Sequence, residues 1–230
     1  EISLVKSIEQ NERFGIGTNG EMKNISFGLF AAEEIVSASG TSIPANGLVE
    51  IISLNEDGTA KVKTDLPFGS YYVQELATDS HYKLSDTKYP VTFGYASQDT
   101  AVMKIAVNGG NAVENKLIYG SVSGKKIDEN GDSLGGALIG LFRTDDGEFT
   151  KENALMTTSS AEDGSFSFES IPYGTWYVRE IKQPAGFVLD DTIYPVTIGA
   201  DGQVVEIEIV NKYVRGNIHL TKVDSEYPDN

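Results

Sequence analysis

Three polar residue types fall where strand alternation puts apolar side chains, and each does so twice. A lysine shares its face with apolar or small residues in Ile2, Leu4 and Lys6, and again in Val122, Gly124 and Lys126. A glutamate does so in Tyr71, Val73 and Glu75, repeated as Trp176, Val178 and Glu180. An asparagine does so in Val113, Asn115 and Leu117, repeated as Ile207, Ile209, Asn211 and Tyr213. A single such residue is explained by a strand end that leaves the core, with the lysine stem snorkelling to water. Recurrence of all three favours chemistry, because a buried unpaired ion costs on the order of several kcal/mol. An amine, a carboxylic acid and a carboxamide enclosed together can make an amide bond. Desolvation lowers the pKa of an amine and raises that of a carboxylic acid, giving a neutral nucleophile and an acid that keeps its proton. Such an acid can polarise the carboxamide carbonyl and shuttle protons while ammonia leaves. Folding supplies near-attack contact, worth an effective molarity of roughly 10⁵ M or more. This is a single-turnover reaction of a protein upon itself, with no cofactor and no metal, and does not make the chain an enzyme.

The elements that must position these residues come from an internal repeat. Ile25–Phe30 matches Ala137–Phe142, and Glu56-Asp57-Gly58 matches Glu162-Asp163-Gly164. Leu66–Leu76 matches Ile171–Ile181 without a gap, and Tyr-Pro-Val-Thr recurs at Tyr89–Thr92 and Tyr194–Thr197. Each copy closes on Asn-Lys, at Asn115-Lys116 and Asn211-Lys212. The opening pattern occurs a third time, from Ile218 to Lys222, and the chain reaches Asn230 soon after. We therefore expect a first module at 1–118 with longer loops, a second at 119–215, and the first strand of a truncated third at 216–230, cut from a longer array. Relative to the second copy, the first carries about eight extra residues between Lys6 and Gly28, about six before Asp57 and about nine between Val91 and Asn115. These additions read as loop elongations.

The pattern is β throughout. Val204–Ile209, Trp176–Glu180 and Ser165–Phe168 alternate cleanly, and Asn-Gly or Asp-Gly turns such as Asp57-Gly58, Asn130-Gly131 and Asp163-Gly164 punctuate the runs. Short strands with such turns predict an all-β fold of tandem Ig-like β-sandwich modules. Helix is limited to one turn near Ala31–Ser37 or Lys151–Met156.

Composition narrows the partners. The 230 residues carry 34 acidic and 18 basic side chains, a net charge of −16, and no cysteine. The charge opposes nucleic acid and anionic membrane, and disulfide, thiolate and thioester chemistry are excluded. No apolar run approaches the length of a membrane span. The acidity is spread over the copies.

The opening Ile218–Asp224 segment, the Gly-Leu-Phe strand, the Leu66–Glu75 run and the terminal Val113–Lys116 segment resemble Cna protein B-type domains, the prealbumin-like, SpaA-like modules of Gram-positive surface adhesins and pilins. The resemblance covers both full copies and the start of the third. It implies a prealbumin-like sandwich in which the opening-strand lysine is joined to the closing-strand asparagine, assisted by the middle-strand acid. Carried over by position, it implies a Lys6–Asn115 isopeptide bond with Glu75 as catalytic acid, and a Lys126–Asn211 bond with Glu180. Lys222 matches the lysine, without partners in this chain. Gly124 and Lys125 depart from the family pattern beside Lys126, which makes Lys125 a rival nucleophile on the opposite face.

Other candidates are weaker. Glu33-Glu34, Asp145-Asp146 and Asp190-Asp191 lie near turns and read as solvated loop charge. Asp128–Asp132 lacks a glycine and a distal glutamate at the spacing of a calcium loop and reads as an Asn-Gly hairpin. His81 and His219 stand alone. The expected function is a structural stalk of an extracellular, cell-wall-attached adhesin or pilin, anchored through parts of the parent protein beyond this sequence. Its partners are adjacent modules of the same chain. The alternative is a ligand-binding adhesin module that meets a host protein or glycan through the long loops of the first copy.

Overall fold

Alternating apolar positions become strands in nearly every expected place. The structure, a computed structural model, describes residues 1–36, 40, 42–95 and 103–222. The first repeat contains β1 (Ile2–Ile8), β2 (Ser26–Ala31), β3 (Ile35–Val36), β4 (Ser42–Ile43), β5 (Leu48–Ser53), β6 (Thr59–Lys61), β7 (Gly69–Ala77), β8 (Tyr89–Phe93), β9 (Ile105–Ala106) and β10 (Val113–Asn115). The second contains β11 (Tyr119–Asp128), β12 (Leu138–Phe142), β13 (Met156–Ser159), β14 (Ser165–Pro172), β15 (Gly174–Lys182), β16 (Phe187–Val188), β17 (Tyr194–Ile198) and β18 (Val204–Tyr213).

Each repeat makes two four-stranded sheets, and in the first β3 and β4 pair as a separate two-stranded one. In the first, β10, β1 and β6 lie side by side with β9 also pairing β1, and the facing sheet runs β5-β2-β7-β8. Ile2, Leu4, Ala60 and Val113 of one sheet share a buried core with Phe27, Leu29, Ile52, Tyr71, Val73 and Val91 of the other. Opposed inward rows of this kind are what hold a β-sandwich together. The second repeat has the sheets β14-β11-β18-β16 and β13-β12-β15-β17. It buries Val122, Phe166, Phe168 and Ile209 from one and Ile139, Leu141, Trp176, Val178 and Val196 from the other. By contact density the chain divides into two compact units: Glu1–Ser121 with Glu169–Thr175 and Val196–Val205, and Val122–Phe168 with Trp176–Pro195 and the chain from Glu206.

Two features of the strands bear on the site. The opening strand β1 runs parallel to the closing strand β10, with Lys6 opposite Val113 and Ile8 opposite Asn115. Lysine and asparagine are thus diagonal neighbours on adjacent strands. On the facing sheet, the pairing of β2 with β7 slips by one residue between Ser26↔Ala77 and Phe27↔Glu75. The pairing of β12 with β15 slips at the same place, between Leu138↔Lys182 and Ile139↔Glu180. A β-bulge therefore follows each glutamate, a device that re-aims side chains beside it.

Several expectations are adjusted. Ile35 and Val36 form strand rather than a helical turn, as two β-branched residues favour, and Ser37 lies outside the described residues. A single turn does form before β13, where the Ala154 N–H donates to the Thr150 carbonyl. The extra stretch between Lys6 and Gly28 is more than loop: it contains an Asn11↔Ile16 bridge, a 3₁₀ turn at Glu21–Asn24, and buried Phe14, Ile16 and Glu21. Residues 216–222 form no strand, and Ile218 and Leu220 are each 88% exposed. The rest of the expected third opening strand, residues 223–230, lies outside the described residues.

Candidate functional site

In each repeat the strands bring one lysine, one glutamate and one asparagine into the core. Lys6, Glu75 and Asn115 are all buried, and Lys126, Glu180 and Asn211 are at most 1% exposed. Lys6 Nζ lies 3.6 Å from Glu75 Oε1, and Lys126 Nζ lies 3.6 Å from Glu180 Oε1. The Asn115 Nδ2 donates to both Glu75 oxygens at 2.8 and 3.0 Å, and the Asn211 Nδ2 donates to Glu180 Oε2 at 2.6 Å. The glutamate comes from the facing sheet, so it bridges across the core to the two strands that carry the amine and the amide.

The acid meets the amide differently from the sequence expectation. Its oxygens face the amide nitrogen, while the carbonyl oxygens of Asn115 and Asn211 have no hydrogen-bond partner among the described residues. An N–H is the natural partner of a carboxyl oxygen, and this arrangement puts the acid beside the nitrogen that would depart. Both glutamates are further fixed by the loop ten residues on, where the Ser85 N–H donates to Glu75 Oε2 at 2.9 Å and the Asp190 N–H to Glu180 Oε2 at 2.8 Å.

Burial pushes both lysine amines below the ordinary value of 10.5. Glu75 opposes the shift at Lys6, and Glu180 with Asp190 opposes it at Lys126. Beyond its ion pair with Glu75, the Lys6 amine has no hydrogen-bond partner among the described residues, whereas the Lys126 amine donates to the Ile209 carbonyl at 3.2 Å. A depressed amine, a carboxyl group and an amide buried together make the set of groups that acyl transfer to nitrogen needs.

The lysine backbone is seated by the Asp-Gly turns. The Lys6 N–H donates to the Gly58 carbonyl at 2.8 Å, and the Lys126 N–H to the Gly164 carbonyl at 2.7 Å. Both glycines have φ of +79°, and a Cβ on either would lie 2.3 Å from the carbonyl oxygen of its lysine. No other residue fits there.

The departures around Lys126 have structural causes. A Cβ on Gly124 would lie 2.0 Å from the Phe166 ring, which occupies that volume from the neighbouring β14. The first repeat solves the same problem in reverse, with Leu4 on β1 opposite the small Ala60 on β6. Lys125 is exposed and donates to the Asp163 carbonyl at 2.7 Å, so it points away from Asn211 and is no rival.

Other candidates sort as follows. Asp190 is not merely solvated loop charge: besides its N–H contact to Glu180, its carboxylate accepts from Thr192 and from the Tyr194 hydroxyl. Its neighbour Asp191 is exposed, as are Glu33, Glu34, Asp145 and Asp146. Asp128 is buried and accepts from the Asn130 and Asp132 N–H groups within its turn and from the Tyr213 hydroxyl. His81 does not stand alone, since its Nδ1 lies 2.6 Å from Asp79 Oδ1, and Asp79 also accepts from Asn24. Among the described residues, no three His, Asp or Glu side chains are grouped to hold a metal ion.

Each repeat is thus a β-sandwich with lysine and asparagine on adjacent strands and glutamate across the core. The SpaA family, described as a prealbumin-like fold domain, matches residues 13–109 and 120–213, and the chain belongs to it. The second match contains Lys126, Glu180 and Asn211, while the first contains Glu75 and stops short of Lys6 and Asn115. Among solved structures, the chain is similar to the Bacillus anthracis TIE protein, with 17% identity and a TM-score of 0.63 over 93% of this chain and 34% of that one. It is also similar to the C-terminal fragment of pilus adhesin SpaC from Lactobacillus rhamnosus GG, with 14% identity and a TM-score of 0.56 over 94% of this chain and 99% of that one. This chain thus corresponds to about a third of the first of these proteins. No curated protein matches it in sequence.

Proposed function

We propose that residues 1–118 and 119–215 are two stalk modules of a cell-wall-attached bacterial surface protein, each closed by an isopeptide bond, with 216–230 opening a third. The observation that carries this reading is the burial, in both repeats, of a lysine amine 3.6 Å from a glutamate that also holds the asparagine amide nitrogen. In each repeat the lysine Nζ attacks the asparagine Cγ, and the Nζ–Cγ bond forms as the Cγ–Nδ2 bond breaks. The proton lost by the amine passes through the glutamate to Nδ2, which leaves as ammonia. Nothing is oxidised or reduced, and each site reacts once.

The mechanical consequence follows from topology. The bond joins the opening strand to the closing strand, so a pull on the two ends of a module is carried through the cross-link. By analogy with disulfides closing loops of about a hundred residues, it adds roughly 4 to 5 kcal/mol through the unfolded state. Resistance to force and proteolysis is the larger benefit, because it depends on unfolding rate.

Intact mass under denaturing conditions tests this reading. A chain two ammonia molecules lighter than its sequence supports both bonds, a deficit of one confines the chemistry to one module, and the full sequence mass refutes it.

A ligand-binding role for the first module is the second reading. It is favoured by Phe68 and Tyr95, 61% and 68% exposed, of which Tyr95 belongs to the elongated stretch after Val91. Solvent-facing aromatics of this kind suit a host protein or glycan. Saturable binding of an extracellular-matrix protein or glycan, lost on Phe68→Ser with Tyr95→Ser, would support it, and unchanged binding would remove its basis.

A further inference from the structure

The first repeat holds its asparagine with a side chain that the second repeat lacks. Asn115 Nδ2 donates to Thr78 Oγ1 at 2.8 Å in addition to its contacts with Glu75. One amide hydrogen thus faces the carboxyl group and the other the hydroxyl. A carboxamide held at one N–H can still swing about its Cβ–Cγ bond, whereas one held at both cannot. In the second repeat the residue at the place of Thr78 is Gln183, and Asn211 Nδ2 donates instead to the backbone carbonyl of Val188 at 2.9 Å. Two unrelated acceptors at the same point indicate that the site requires a second hold on the nitrogen.

The β-bulge explains how Thr78 gets there. Strict alternation would send a residue three beyond Glu75 to the opposite face. The extra residue in β7 resets the phase, so Leu76 and Ala77 are both exposed and Thr78 returns to the side of Glu75.

We propose that Thr78 is a positioning residue for the Lys6–Asn115 cross-link. Its hydroxyl fixes the plane of the Asn115 amide while Lys6 Nζ bonds to Cγ, and accepts from Nδ2 as that nitrogen takes its proton through Glu75 and leaves as ammonia. The inference rests on the cross-linking reading above.

The test uses the full chain carrying Asn211→Ala, so that only the first repeat can lose ammonia, made by cell-free synthesis and sampled over time by intact mass. Thr78→Val, which keeps the shape and removes the hydroxyl, is expected to slow ammonia loss about tenfold, the kinetic equivalent of one hydrogen bond. Thr78→Ser should restore the parent rate. Should Thr78→Val fail to fold, Thr78→Ala carries the same expectation without added bulk. A Thr78→Val rate equal to the parent's, or a Thr78→Ser rate as slow as that of Thr78→Val, overturns the inference alone. A parent chain that never loses ammonia overturns the cross-linking reading and the inference with it.

Discussion

The two repeats place the same three groups in the same buried contact and surround them with different neighbours. Lys6 and Lys126 lie at one distance, 3.6 Å, from their glutamates, and both are seated by a glycine with φ of +79°. Around them the partners trade. Leu4 with Ala60 becomes Gly124 with Phe166, the Thr78 hydroxyl becomes the Val188 carbonyl, and an amine ion-paired to its glutamate becomes one that also donates to the Ile209 carbonyl. What the chemistry needs is repeated, and what only fills space or accepts a hydrogen bond is interchangeable. Volume is conserved across the sheet rather than residue by residue.

The largest effects should come from breaking one repeat and leaving the other. Glu75→Ala is expected to abolish cross-linking in the first repeat and Glu180→Ala in the second, each restoring one ammonia to the intact mass of the denatured chain. A variant that restored both, or neither, would show that the repeats do not act separately.

Next in size is the packing trade. In a Glu180→Ala background, where the covalent bond does not mask stability, Phe166→Ala should cost about 3 to 5 kcal/mol in denaturant unfolding. Adding Gly124→Leu, which copies the Leu4 and Ala60 solution, should recover a substantial part. Simple additivity of the two substitutions would mean that the pair is not coupled.

Smaller effects concern protons. Because burial lowers both lysine pKa values, ammonia loss should accelerate with rising pH and level off below 10.5, the ordinary value for lysine. In both repeats neighbouring carboxylates, Glu75 and Glu114 at Lys6 and Glu180 and Asp190 at Lys126, act against that lowering. Time courses of intact mass at several pH values measure the rise and the plateau. The same shift bears on stability. In a chain carrying Asn115→Ala and Asn211→Ala, which cannot close, the unfolded state binds more protons at each lysine than the folded state between the depressed value and 10.5. Stability of that chain should therefore rise with pH through this window and fall as pH drops through the folded-state value, which urea titrations at fixed pH would register.

Strand alternation makes Lys6, Glu75 and Asn115 legible in the sequence, because a polar residue on an apolar face is conspicuous when it recurs. The Gly124 and Phe166 trade was also readable in principle, since both positions differ between the copies, but only pairing β11 with β14 shows that the two changes are one. The bulge after each glutamate was not readable. Leu76 and Ile181 carry no residue-type signature for an extra strand position, and plain alternation puts Thr78 on the face opposite Glu75. The Val188 carbonyl and the Ser85 and Asp190 N–H groups are backbone atoms, which no residue type announces. His81 looked isolated although Asp79 stands two residues before it, since only the fold turns that carboxylate onto the ring while Asn24, from the stretch before β2, donates to its other oxygen.

Peptide mapping of the protease-digested chain by tandem mass spectrometry tests the central claim most directly. The expected result is two branched peptides, one joining Lys6 to Asn115 and one joining Lys126 to Asn211, with Lys125 unlinked. Linear peptides that contain unmodified Lys6, Asn115, Lys126 and Asn211 would contradict it.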